Sequence, residues 1–160
     1  MGMPKLKTAE ELAAIRAGLA QNGRRLVITN GCFDLLHVGH VRYLQQARQL
    51  GDVLVVALNA DQSVRELKGP NRPINTELDR AEVLAALECV DYVTIFPEKR
   101  VTAVLRKVRP HVYTKGGDYS PESLNTEELA ALRDIGSEIR ILPLVAGKST
   151  SNIIKKWHEK

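Results

Sequence analysis

Residues 26–40 read LVITNGCFDLLHVGH, and this stretch decides the fold. Leu26 to Thr29 is a short apolar run with the β-branched content of a buried strand, and Asn30-Gly31 then turns the chain. Val41, Leu44 and Ala47 follow at helical spacing, and Gly51 stops that helix. Val53 to Leu58 is an unbroken apolar run of the kind buried on both faces of a parallel sheet. Strand, helix and strand in roughly thirty residues make a βαβ unit.

Working outward, Thr8-Ala9-Glu10-Glu11 is a capping box that opens a helix with Leu12, Ile15 and Leu19 on one face, closed by Asn22-Gly23. Residues 1–24 are thereby expected to be an N-terminal helical extension. Downstream, LKGPNRPI (67–74) holds Gly, Asn and two prolines and must be a loop, and Thr76-x-x-Asp79 offers a capping box for a helix to Glu88. Tyr92 to Phe96 reads as the third strand. Val101, Val104, Leu105 and Val108 give a helix ended by Pro110, and His111 to Thr114 gives the fourth strand. A helix through Leu129 and Leu132 stops near Gly136. Ile139, Ile141 and Leu142 alternate with polar residues as an edge strand does, and Ser149 caps a last helix carrying Ile153, Ile154 and Trp157. The expected architecture is one α/β domain over residues 1–160, Rossmann-like and doubly wound, with a five-stranded, mostly parallel sheet and right-handed crossovers.

Composition agrees with a single globular unit. The 160 residues are 44% hydrophobic and 26% charged, which excludes long disorder and collagen-like or coiled-coil chains. The longest apolar run, Val53 to Leu58, is too short to span a bilayer, so no membrane is expected. A net charge of +4 suits nucleic acid or a small phosphorylated ligand, and aromatics at 4% leave few platforms for stacking bases, so no nucleic-acid partner is expected. Cys32 and Cys89 lack CxxC spacing and the first residues lack the apolar core of a secretory signal, which points to the reducing cytoplasm.

A doubly wound sheet binds its ligand at the carboxyl ends of the strands, where the strand order reverses. The segments to examine are therefore Asn30-Gly31-Cys32-Phe33-Asp34 and Lys115-Gly116-Gly117-Asp118. His37 and His40 share one face of the following helix, and Gly39 between them lets a phosphate approach the backbone at the positive end of the helix. This is an anion site without a P-loop. No GxxxxGK[ST] occurs, which excludes a Walker-type NTPase, and no GxGxxG follows the first strand. The spacing of Cys32, His37 and His40 also fits three zinc ligands. Lys68 and Arg72 fit a clamp over polyphosphate as well as a solvated basic loop. Ser149, Thr150 and Ser151, behind Lys148, bring hydroxyls and a cation to a helix start, where a plain N-cap would also place them. Asp118 also suits a turn, and Asp79-Arg80 a surface helix pair.

The order of these motifs resembles the cytidylyltransferase-like nucleotidyltransferases, whose HxGH stands here as His37-Val38-Gly39-His40 and whose ISSTxIR-type motif stands as 148–154, KSTSNII. Within that group TNGCFDLLHVGHVRYLQQARQLGD, LKGPNRPIN, DRAEVLAALECVDYV and KGGDY look most like the heptose 1-phosphate adenylyltransferases, the adenylyltransferase domains of bacterial ADP-heptose synthases. Leu78 stands where an acidic residue is the norm, and Gly147-Lys148 replaces Ile-Ser.

The resemblance implies ATP as co-substrate with Mg²⁺, and a phosphorylated sugar as acceptor. His37, His40 and Lys68 would be catalytic. Asn30, Gly31, Cys32, Phe33, Gly39, Arg72, Lys115, Gly116, Gly117, Asp118, Ser149, Thr150 and Ser151 would hold the nucleotide, and Asp34 and Arg80 the sugar phosphate. It also implies a homodimer and a separate chain for the sugar kinase; the apolar stretch Cys89 to Val93 is the candidate contact. A cytidylyltransferase for glycerol 3-phosphate or another phosphoalcohol is the alternative reading. Further alternatives are a nucleotide-sensing module without turnover and an RNA-binding module.

Overall fold

The computed structural model describes residues 2–117 and 120–159. Five strands, β1 (Leu26–Gly31), β2 (Val53–Asn59), β3 (Tyr92–Phe96), β4 (Val112–Gly116) and β5 (Glu138–Leu142), form one sheet in the order β3-β2-β1-β4-β5. Every neighbouring pair is parallel, so the sheet expected to be mostly parallel is parallel throughout. The chain winds from β1 out to β3, returns across β1 to β4, and ends at β5. The order reverses between β1 and β4, and the crevice opens there.

Among the described residues there are seven α-helices: α1 (Ala9–Gln21), α2 (Val38–Arg48), α3 (Asp61–Lys68), α4 (Glu77–Ala85), α5 (Thr102–Val108), α6 (Thr126–Asp134) and α7 (Thr150–His158). The period of two along the strands divides the core. Ile28, Val55 and Ala57 face Leu12, Leu19, Leu105 and Leu132 of α1, α5 and α6, while Val27, Leu54 and Val56 face Leu44, Ala47, Ala81 and Leu84 of α2 and α4. All seven residues of β2 are buried, which is why that stretch carries no polar alternation before Asn59.

Local chemistry sets most boundaries. Thr8 and Glu11 close a reciprocal capping box on α1. At α4 only half of the expected box forms: Thr76 Oγ1 accepts from the Asp79 N–H, but the Asp79 carboxylate takes the Thr76 hydroxyl and not a backbone N–H. That helix also ends at Ala85, short of Glu88, in turns through Leu87 and Val90. Helix α3 was not expected; of its eight residues only Ser63 and Val64 are buried, so no apolar period marks it.

The segment before α1 runs along the outer edge of β3. Lys7 N donates to Val93 O at 2.9 Å, Val93 N to Lys5 O at 2.9 Å, and Lys5 Nζ to Val90 O at 2.7 Å. Of the stretch Cys89 to Val93, expected as a contact between protomers, this leaves Cys89, Asp91 and Tyr92 partly exposed. Val90 and Val93 are fully buried within the chain, and the edge they would offer is already paired.

Candidate functional site

A cleft of about 490 Å³ opens at the carboxyl ends of the strands. Asn30 to Asp34, His37, Gly39, His40, Lys68, Arg72, Lys115, Gly116 and Ser149 to Ser151 all line it. The two helix starts that the sequence singled out therefore face one space. Gly117 follows β4 at φ 145°, its N–H bonded to Leu142 O, and does not line the cleft. Asp118 lies outside the described residues.

His37 is the N-cap of α2, and its Nδ1 accepts from Gly39 N at 3.1 Å. The neutral ring therefore carries its proton on Nε2. His40 stacks on it with ring centroids 3.9 Å apart and an interplanar angle of 25°, and the Phe33 ring lies tilted with its centroid 5.2 Å from that of His40. Phe33 adopts φ 43°, a strained conformation for a residue with a side chain, at the bend that delivers its ring. Burial and then the Lys148 charge lower the pKa of His37, and burial and then His37 lower that of His40 to about 4. Both shifts favour the neutral imidazole at pH 7. His40 Nδ1 is buried without a protein partner, so stacking holds the ring.

The glycine between the histidines admits more than a ligand. A Cβ on Gly39 would lie 2.9 Å from the His37 ring and 3.2 Å from Lys148 Cβ, so the bare Cα lets the imidazole fold back and the 147–150 turn close against α2. Gly39→Ala is expected to displace His37 from its Nδ1 acceptor and lower kcat/KM by about tenfold or more. Circular dichroism should show the helix intact, since alanine is the better helix former.

Asp34 and Arg80, expected at the sugar phosphate, are both engaged in bonds within the protein. The buried Asp34 carboxylate accepts from Arg72 Nε at 2.5 Å and from the N–H groups of Ile74 and Asn75 at 2.8 and 3.1 Å, so it fastens the loop that carries the clamp. Arg80 is 2% exposed and does not line the cleft. Its guanidinium donates to Cys32 O at 2.6 Å, Asn59 O at 2.9 Å, Asn75 O at 3.0 Å and Asp61 Oδ1 at 2.8 Å. These groups lie after β1, at the end of β2, before α4 and at the start of α3, and one side chain ties them together. Arg80 is thus removed from the expected substrate contacts.

At α7, Ser149 Oγ accepts from Asn152 N at 3.0 Å as an ordinary N-cap, and Thr150 Oγ1 donates to Leu35 O at 2.9 Å. The second bond joins α7 to the β1–α2 turn and so builds the cleft. Cys32, His37 and His40 do not assemble a metal site, because no three His, Cys, Asp or Glu groups gather suitably among the described residues.

Sequence reasoning missed Tyr43, Asn59, Lys99, Arg100 and Glu128 in the lining. The carboxyl-end rule, extended to β2 and β3, would have found Asn59 and the Lys99-Arg100 pair. Nothing in the sequence distinguished Glu128 from an ordinary acidic residue in the first turn of a helix.

A cytidylyltransferase-like family model matches residues 28–156. The bifunctional protein HldE of Geotalea uraniireducens is 51% identical over 152 residues, covering 95% of this chain and 31% of that protein. HldE of Aliarcobacter butzleri is 49% identical over 154 residues, covering 96% and 31%. The chain thus spans 31% of the length of these curated relatives. The lipopolysaccharide core biosynthesis protein from Thermoplasma volcanium superposes with a TM-score of 0.62 at 30% identity, over 77% of this chain and 98% of that one. Pantoate-beta-alanine ligase from Francisella tularensis shares the fold, with a TM-score of 0.56 at 14% identity over 97% of this chain and 79% of that one.

Proposed function

The chain belongs to the cytidylyltransferase-like family, and from that premise we propose that it transfers AMP from ATP to D-glycero-β-D-manno-heptose 1-phosphate, giving ADP-heptose and pyrophosphate. The product would serve lipopolysaccharide or surface-glycan synthesis. One observation carries the reading: His37, His40, the start of α7 and the Lys68–Arg72 loop face a single cleft. The identity to HldE and the likeness to a lipopolysaccharide core biosynthesis protein support the choice of sugar.

The nucleophile in this reaction is a phosphate oxygen that is already an anion, so the chain needs no strong general base. Positioning and charge stabilisation supply the acceleration. The sugar phosphate attacks the α-phosphorus in line and pyrophosphate leaves from the opposite side. The N–H groups of His37 and His40 donate to the α- and β-phosphates as charge moves onto the bridging oxygen. Lys68 and Arg72 close over the phosphates, the backbone of Asn30 to Phe33 lines the α-phosphate, and the start of α7 receives the β/γ end.

ATP would enter as its Mg²⁺ complex, and the ion would supply charge neutralisation for the pyrophosphate leaving group. Of the carboxylates lining the cleft, Asp34 is bonded to Arg72 and Glu128 stands 3.9 Å from Lys115, so phosphate oxygens and water would supply most of the ion's ligands. Among the described residues no helix is long and apolar enough to cross a membrane. The same proposal sets the enzyme in the cytoplasm as a homodimer acting on a sugar 1-phosphate; light scattering tests the dimer.

The activity is tested by incubating the protein with ATP or CTP, Mg²⁺ and a panel of sugar and alcohol phosphates while pyrophosphate is measured. ATP with the heptose 1-phosphate should give the highest rate. Product formed only from CTP and glycerol 3-phosphate would overturn the assignment.

A further inference from the structure

Glu128 lies in the first turn of α6, is 2% exposed, and yet lines the cleft. Its Oε2 is buried without a hydrogen bond, and its ion-pair partner, Lys115 Nζ, stands 3.9 Å away, beyond hydrogen-bonding reach. A buried carboxylate with unserved lone pairs costs stability, so a folded chain keeps one where a ligand completes it. The helix does not need it as a cap, because Asn125 Oδ1 accepts from the N–H groups of Glu127 and Glu128 at 3.0 and 3.4 Å.

The geometry points to a hydroxyl-binding subsite at the β4–α6 side of the cleft, in which Glu128, with Lys115 beside it, bonds the ring hydroxyls of a substrate. The inference rests on the transferase reading for the identity of its substrates. The phosphate-binding groups, His37, His40, Lys68 and the start of α7, belong to other elements, and a carboxylate would repel a phosphate. What Glu128 accepts must be a donor. An amino group only donates and would face the Lys115 ammonium unfavourably, whereas a hydroxyl donates to Glu128 and accepts from Lys115 at once. Two neighbouring hydroxyls suit the pair best, and a sugar ring carries them. Close by, Asn30 and Tyr113 are occupied with each other, since Tyr113 OH donates to Asn30 Oδ1 at 2.7 Å.

Both the ribose of ATP and the ring of the sugar phosphate have this chemistry, and Glu128→Gln separates them. Calorimetry gives Kd for ATP, 2′-deoxy-ATP and 3′-deoxy-ATP, and steady-state kinetics gives KM for the sugar 1-phosphate. The variant should weaken one substrate by about tenfold or more while melting no lower than wild type, since it removes an ill-served buried charge and keeps the shape. If the ribose occupies the subsite, the loss falls on ATP, and one deoxy analogue binds wild type as weakly as the variant binds ATP. If the acceptor ring occupies it, ATP titrations superimpose and KM for the sugar phosphate rises with kcat little changed.

Unchanged affinity for both substrates overturns the subsite. So does a lower melting temperature with equal loss of both, the signature of a purely structural residue. A wild-type protein that binds ATP but makes no ADP-sugar defeats the functional reading alone; the ATP and deoxy-ATP titrations then decide the subsite, and unchanged binding overturns it.

Discussion

His40→Ala is expected to lower kcat by about a hundredfold or more, the loss that follows removal of one preorganised donor from a site where charge develops in the transition state. His37→Ala should behave alike, since the two rings stack at 3.9 Å and remain neutral donors. Neither change should unfold the chain: the His40 ring leaves a buried Nδ1 without a protein partner, and the helix keeps Tyr43, Leu44 and Ala47 in the core.

The neutral state of His40 has a consequence for stability. Its folded pKa is about 4 against the ordinary 6.5, so between those values the unfolded chain binds a proton that the folded chain refuses. Stability therefore falls as pH drops through that window, and His37, shifted the same way, adds to the fall. Denaturant melts at pH 7 and 4.5 should show a smaller difference for His40→Ala than for wild type. Near-normal turnover in both alanine variants would reject the donor roles, and a His40 ring titrating near 6.5 by NMR would reject its neutral state.

These histidines could be found in the sequence because their arrangement is local. A strand end, a turn and a helix start within fifteen residues fix where His37 and His40 sit, and the caps at Thr8 and Ser149 are likewise decided within one helical turn. The unbroken run from Val53 to Leu58 announced a strand buried on both faces, and the sheet places it inside, between β1 and β3. Asp34 and Arg80 show where such reading stops. A charged residue beside a loop looks the same whether it meets solvent, substrate or a buried partner. The bonds that decide between these run from Arg72 to Asp34, 38 residues apart, and from Arg80 to Cys32, 48 apart. Helix α3 escaped for a related reason: of its two apolar residues only Val64 is buried while Leu67 is exposed, and one buried apolar residue sets no period.

Arg80→Met is expected to destabilise the protein by about 3–5 kcal/mol, the scale for breaking a buried ion pair from one side. Methionine fills much of the same volume, so the cost falls on what the guanidinium served: the carbonyls of Cys32, Asn59 and Asn75, and the Asp61 carboxylate. Arg80→Lys keeps the charge, yet a single ammonium cannot reach four acceptors in the geometry of a planar fork, so it should melt between the methionine variant and wild type.

The effect on turnover follows from the stability argument. Asn75 O anchors to Arg80, while the N–H and side chain of Asn75 hold Asp34, which in turn pairs with Arg72. Loss of Arg80 therefore frees one end of the clamp loop without touching a phosphate. Measured well below its melting midpoint, Arg80→Met should show a raised KM for ATP along with its lower melting temperature, and Arg80→Lys should recover part of both. A methionine variant that melts like wild type and is impaired only toward the sugar phosphate would put the Arg80 guanidinium back among the substrate contacts and require the cleft to reorganise when it binds.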